Sequence, residues 1–213
     1  MSQNKFLKFE KFYCSLVISP FFILVLMLSG TFTILQDSLA QQSNSTTIKN
    51  QTKPIDFLVY ENSTFGIKIN YPKNWALETL PDDPPLTNIV IFYSPESKDY
   101  VSVGMDTYDY SNTKIDTMKE LLKEAISAYA SFPDDFKDFK LLASSSNKVL
   151  AGLPAYMLEA EYQDSEFGKQ MILETGILKD QINYLITYMA SPSQYKQYIP
   201  IVQSMLKSFE MEK

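Results

Sequence analysis

Carboxylates are the side chains of this chain whose types and spacing offer chemistry. Asp106 and Asp109 flank Tyr108 at the end of an alternating segment. Asp134, Asp135 and Asp138 cluster behind Pro133, and Asp82 and Asp83 sit inside Pro81-Asp82-Asp83-Pro84-Pro85. Hard cations are what such oxygens bind, and calcium takes roughly six to eight of them. No EF-hand spacing is present. Asp106, Asp109, Asp134, Asp135 and Asp138 are therefore weak metal candidates beside the plainer reading, a solvated acidic surface. Calcium is the one cofactor left open. Three prolines in five residues make the loop around Asp82 and Asp83 extended and exposed, so these two read as docking residues. A glycosidase-like carboxylate pair would need sugar-stacking tryptophans beside it, and Trp75 is the only one in the chain.

Composition removes most other chemistry. The chain has no histidine, so Ser-His-Asp and Cys-His nucleophile systems and His-ligated metal sites are excluded. Its single cysteine, Cys14, cannot close an intramolecular disulfide. All 19 basic residues are lysine against 25 acidic ones, for a net charge of −6. Without arginine forks or a basic stripe, nucleic acid is not a partner. The expectation is a binding protein, not an enzyme.

The N-terminus reads as a targeting segment. Lys5, Lys8 and Lys11 precede an apolar run from Leu16 to Leu28, Gly30 breaks it, and Ser38-Leu39-Ala40 supplies the small residues a signal peptidase reads. Residues 1–40 are thus a secretory signal cut after Ala40. The rival is an uncleaved anchor: a span needs about 20 apolar residues, and residues 12–35 nearly supply them. In that case the segment is the chain's only membrane contact. Residues 41–55 form a polar, disordered linker. It carries the sequons Asn44-Ser45-Thr46 and Asn50-Gln51-Thr52, and Asn62-Ser63-Thr64 follows. Asn44, Asn50 and Asn62 are the glycosylation candidates.

The elements that must position these groups lie in residues 56–213. Phe65, Ile67, Ile69 and Tyr71 alternate with Gly66, Lys68 and Asn70, the period of a half-buried strand. Asn62, Ser63 and Gly66 make it the second arm of a hairpin begun at Phe57, the first hairpin of an antiparallel sheet. Pro72 ends it, and Trp75 folds back as a core anchor. Residues 88–93 and 100–108 read as two more strands, the second with Val101, Val103 and Met105 inward and Ser102, Gly104 and Asp106 outward. Thr113 with Asp116 predicts a capping-box start. The helix stripe Ile115, Met118, Leu121, Leu122, Ala125 and Tyr129 then runs to Pro133. A strand over 139–143, a turn at Ser144–Asn147, and strands over 149–162, 169–178 and 182–190 follow, the last central. Ser191-Pro192-Ser193-Gln194 opens a final helix, kinked or split by Pro200. Short turns between strands require antiparallel pairing. The fold class is α+β: a mainly antiparallel sheet covered by helices in an α/β/α sandwich. The tyrosines read as core, with Tyr108, Tyr110, Tyr195 and Tyr198 as the alternative, an exposed binding face.

Three stretches together resemble the PsbP-like family, whose fold is shared with the Mog1 type. They are Phe65-Gly66-Ile67 to Tyr71-Pro72 with Trp75, then Gly152-Leu153-Pro154-Ala155-Tyr156, and the closing strand and helix from Tyr184 to Phe209. The resemblance spans roughly residues 56–211. It implies an extrinsic, extracytoplasmic, non-catalytic module. Photosynthetic members sit on the lumenal side of photosystem II and help retain calcium and chloride; many relatives outside plants are exported proteins of unassigned role. This chain lacks histidine and has a sequon-bearing spacer, so the photosystem role does not carry over. Its composition looks like that of an archaeal or bacterial exported relative.

The expected function is an exported accessory domain acting outside the membrane and docking on a membrane complex. The alternative is a small-ligand or calcium carrier using the acidic loops. N-terminal sequencing of the exported protein should begin at Gln41; a product starting at Met1 or Ser2 would mean that the segment is retained.

Overall fold

The computed structural model describes residues 55–79, 86–95 and 102–212. The chain opens with β1 (Phe57–Asn62) and β2 (Ile67–Pro72), paired antiparallel from Phe57 opposite Pro72 to Asn62 opposite Ile67. Their turn is organised by Asn62, whose Oδ1 accepts from the backbone N–H of Thr64 at 3.0 Å and Phe65 at 3.3 Å. This hairpin does not join the main sheet, contrary to the expectation. It forms a separate three-stranded sheet closed by β10 (Glu210–Met211), whose residues lie opposite Lys68 and Ile67. Its inward Ile67 and Ile69 are buried in the core shared by the final helix and the main sheet.

Among the described residues the main sheet has seven strands. They are β3 (Ala76–Glu78), β4 (Leu86–Tyr93), β5 (Ser102–Asp109), β6 (Lys137–Leu150), β7 (Leu153–Asp164), β8 (Gly168–Lys179) and β9 (Ile182–Ala190). Their spatial order is β3-β4-β5-β9-β8-β7-β6, antiparallel throughout. The short turns Ala151-Gly152 and Asp180-Gln181 each place two residues in the left-handed region, which suits a two-residue hairpin. The expected turn at Ser144–Asn147 is instead part of β6. On an exposed edge nothing penalises a run of serines, and the left-handed pair at 151–152 makes the reversal. β9 is central, as its apolar text predicts.

Two helices cover the two faces. α1 (Met118–Ser131) is capped by Thr117, whose hydroxyl accepts from the Glu120 N–H at 3.2 Å. Glu120 Oε2 in turn accepts from the Thr117 hydroxyl and the Asp116 N–H. The capping box therefore lies four residues beyond the expected Thr113–Asp116 pair, because residues 110–113 form a turn first, with Thr113 N–H donating to the Tyr110 carbonyl at 2.9 Å. α2 (Pro192–Lys207) runs unbroken through Pro200, and its Ser191 makes no side-chain capping bond.

Strand alternation sorts the interior into two cores. On one face Trp75, Tyr195, Tyr198, Val202, Met205 and Phe209 pack on Val103, Met105, Ile186 and Tyr188, together with the small sheet. On the other, Leu121 and Tyr129 of α1 pack with Phe136 on Tyr156, Leu158, Ala160, Tyr162, Ile172 and Met189. This is the expected α/β/α sandwich.

Gly176 shows how tightly the second core closes. A Cβ at this position would lie 2.3 Å from Tyr156 Cε1 and 2.7 Å from Asn183 Oδ1. Gly176→Ala should cost about 1–3 kcal/mol through overpacking, read as a lower urea midpoint at unchanged m-value. An unchanged midpoint would show that the ring is not confined there.

Candidate functional site

Register brings polar side chains together beneath α1. In β5, Asp106 is on the same face as Gly104 and Tyr108; in β9, Asn183, Leu185 and Thr187 share that face; in β8, Glu174 and Gly176 do. Asp106 lies opposite Leu185, and Leu185 opposite Gly176; Thr187 lies between Gly104 and Glu174. The two carboxylates thus stand on strands either side of central β9. Gly104 leaves space for Asp106, whose Oδ2 is 3.7 Å from where a Gly104 Cβ would be, and Gly176 leaves space for the Tyr156 ring and Asn183. α1 closes the top with Ala125, Ala128 and Tyr129. A cavity of about 60 Å³ remains, walled also by Tyr108, Tyr110, Phe132, Phe136 and Tyr156.

The polar groups form a chain of neutral donors around one acid. Tyr129 and Tyr156 donate their hydroxyls to the two oxygens of Glu174, the second at 2.6 Å. The neighbouring Asn183 side chain opposes the rise in the Tyr156 pKa. Asn183 Oδ1 is buried and has no partner. Asp106 and Glu174 are 9% and 5% exposed, and among the described residues no lysine pairs with either. Burial, then the neighbouring Glu174 carboxylate, pushes the Asp106 carboxyl up to about 8. Burial raises Glu174 as well, against the two tyrosine hydrogen bonds that favour its charge. Burial first, then the Glu174 charge, raises Tyr156 well above the usual phenol range. Two such carboxylates cannot both ionise at neutral pH without a counter-charge. The pair holds a proton or receives a cation.

Of the residues singled out in the sequence, Asp106, Tyr108 and Tyr110 are at this cavity. Asp106 is not on a solvated strand end: it is buried at the cavity that α1 helps to wall. Asp109, three residues on, is exposed, and Ser111 holds its carboxyl below the usual range by hydrogen bonds. Asp134 and Asp138 are exposed and Asp135 is half-buried at the α1–β6 connection. Among the described residues no three acidic side chains come close enough to hold a metal, so the five candidates do not form one site. Tyr195 and Tyr198 are buried on the opposite face, Tyr195 stacked on Tyr188 and Tyr198 edge-on to Trp75, so no four-tyrosine face exists. Asn62 caps its turn and donates from Nδ2 to the Tyr60 hydroxyl at 3.2 Å. Asn44, Asn50, Asp82 and Asp83, with the targeting segment and nearly all of the linker, lie outside the described residues.

Glu174, Tyr156, Tyr129 and Asn183 were not singled out. One signal was available: Glu174 occupies the same strand phase as Ile172, Gly176 and Leu178. A carboxylate at an apolar phase followed by glycine marks a buried acid.

A family model described as PsbP-like protein matches residues 17–211. The solution structure of cyanobacterial PsbP (CyanoP) from Synechocystis superposes with a TM-score of 0.58 at 11% identity, covering 76% of this chain and 96% of that one. The Ran-binding protein Mog1p of Saccharomyces cerevisiae gives a TM-score of 0.49 at 10% identity, over 74% of this chain and 96% of its own. LpqN of Mycobacterium tuberculosis, titled as involved in cell envelope biogenesis, gives 0.48 at 11% identity, over 76% and 88%. The likeness to the cyanobacterial protein shows the shared fold. No curated protein sequence matches the chain.

The raised Asp106 fixes the sign of a pH effect. The folded chain keeps this proton up to about pH 8, whereas the unfolded chain gives it up above about pH 4. Between these values stability falls by up to one proton's linkage per pH unit. Asp106→Asn should therefore gain stability relative to the wild type as pH rises from 4 to 8 in thermal unfolding. A difference that stays constant with pH would place the titration elsewhere.

Proposed function

We infer that this chain, which belongs to the PsbP-like protein family, is a non-catalytic accessory domain that acts outside the membrane by binding a protein of a membrane complex. Three features support the reading: the family, the lysine-flanked apolar N-terminus, and a sheet edge that the fold itself does not explain. Among the described residues no helix is long and apolar enough to cross a membrane.

The carrying observation is β6. This strand is 14 residues long, forms one edge of the sheet, pairs among the described residues only with β7, and fully buries none of its side chains, with Phe139 and Leu150 half-buried at its ends. Val149 is 73% and Leu142 42% exposed. Ordering each backbone residue costs roughly 1–2 kcal/mol, and a strand without a buried face recovers little of that from its own core. Such an edge offers free backbone donors and acceptors with apolar side chains beside them, the arrangement used in strand addition by a partner. Lys137, Lys140 and Lys148 and three register shifts interrupt it, which guards against indiscriminate pairing. A cognate strand can be matched to those interruptions.

Capture from detergent-solubilised membranes tests this. The full chain should retain a defined membrane-protein partner, and the Leu142→Lys/Val149→Lys variant should retain at least about tenfold less, since two charges oppose apolar contacts. Both substitutions are on the surface, so stability should stay within about 0.5 kcal/mol per site. Failure of the wild type to retain a partner, or equal retention by the variant, rejects the edge as the docking face.

A further inference from the structure

The cavity beneath α1 is independent of the β6 edge and has a chemistry of its own. Its tyrosine hydroxyls from α1 and β7 are spent on Glu174, and acceptors are left over. Asp106 and Glu174 supply carboxylates, and Asn183, 2% exposed, presents a carbonyl oxygen with no partner. A buried acceptor left unpaired is rare and calls for a donor. None is available from a cationic side chain: the chain has no arginine or histidine, and no lysine lines this space.

We propose that this cavity binds a primary ammonium group, with Asp106 and the Asn183 carbonyl receiving its N–H bonds and the Tyr108–Tyr110 ring pair walling its apolar stem.

The count and the shape agree with that ligand. A primary ammonium has three donors and no acceptor. Asp106 and Asn183 supply acceptors on one face of the sheet. Both Glu174 oxygens already accept tyrosine hydroxyls, so Glu174 contributes charge. The remaining walls are aromatic, with Tyr108 and Tyr110 at a ring-centroid distance of 4.6 Å, and cations are attracted to ring faces. The volume, about 60 Å³, is several times the roughly 10–15 Å³ that one water requires on the same measure. A head group with a short stem therefore fits. Calcium fits less well, since it takes roughly six to eight oxygens and no three acidic groups converge among the described residues. Ammonium also balances the local charge: it allows Asp106 to ionise beside Glu174, which burial opposes in its absence.

The test is thermal unfolding and calorimetry on the full chain in mild detergent at pH 8. Methylammonium chloride should raise Tm saturably by about 3 °C or more, whereas sodium chloride and calcium chloride at equal ionic strength should not. Tetramethylammonium, which has no N–H donor, should also fail. Asp106→Asn should weaken methylammonium binding at least tenfold. Ala128→Leu fills the cavity from α1 without touching the acceptors and should abolish binding even if Asp106→Asn unfolds. n-Butylammonium separates two sources of the group: tighter binding than methylammonium assigns it to a partner's lysine, weaker binding to a free small amine. No saturable effect of methylammonium, equal stabilisation by calcium or tetramethylammonium, or undiminished binding by a folded Ala128→Leu variant overturns the proposal.

Discussion

Glu174 is the group on which the second half of this fold depends. A carboxylate taken out of water costs several kcal/mol unless hydrogen bonds replace its hydration. Here two tyrosine hydroxyls do so from different elements, Tyr129 from α1 and Tyr156 from β7. The requirement fixes more than one side chain. α1 must lie at the height and rotation that bring Tyr129, near its C-terminal end, over β8. Tyr156 must lean across the sheet toward β8, and it has room only because residue 176 is glycine. Ring contacts then extend the arrangement: Tyr129 stacks on Phe139 and meets Phe136 edge-on, and Phe136 meets Tyr162. The helix is thus tied to the sheet by a polar node surrounded by aromatic packing.

The opposite face is organised by a different device. The small sheet, α2 and the chain end are joined through Ser208, which donates to the Met205 carbonyl and accepts from the Asn70 N–H. β10 completes the pairing, with the Glu212 N–H donating to the Gly66 carbonyl. Lys179, at the end of β8, donates to the Glu212 carbonyl. The first hairpin and the last residues are therefore one structural unit, although 138 positions separate Asn70 from Ser208. The tryptophan that closes the hairpin packs on α2 as a core residue, as its size predicts.

Much of this was legible in the sequence. Period-two and helical spacing identified the opening hairpin, β5, β7, β8, β9 and both helices, because those elements bury side chains in a regular phase. Elements without a buried phase were missed or misplaced. β10 has two residues, too few for any period. β6 fully buries no side chain, so its serines read as a turn, while the reversal at Ala151-Gly152 fell inside the strand read over 149–162. The same reasoning explains the site. Alternation in β5 separated Asp106 from Val103 and Met105, but alternation says only that two faces differ. It does not say whether the polar face meets water or a helix, and α1 lies over it. The carboxylates at 109, 134, 135 and 138 were conspicuous because they cluster in sequence. Asp106 and Glu174 meet across β9, where only strand order brings them together.

Strand order also explains why the pocket has its particular chemistry. A chain with no arginine and no histidine has few ways to accommodate a buried acid. Lysine carries a strongly hydrated charge on a flexible stem and is a poor fit for a closed space. Hydroxyls and amides remain, and these are what surround Glu174. They satisfy its oxygens but supply no positive charge, so the second carboxylate, Asp106, is left to keep its proton, and Asn183 keeps an unpaired carbonyl. A fold that needed this region only for packing would be served by apolar residues of similar volume, which are often as stabilising as buried charged groups. Retaining two acids, an unpaired acceptor and a cavity among aromatic rings makes sense if a donor from outside the chain completes the set.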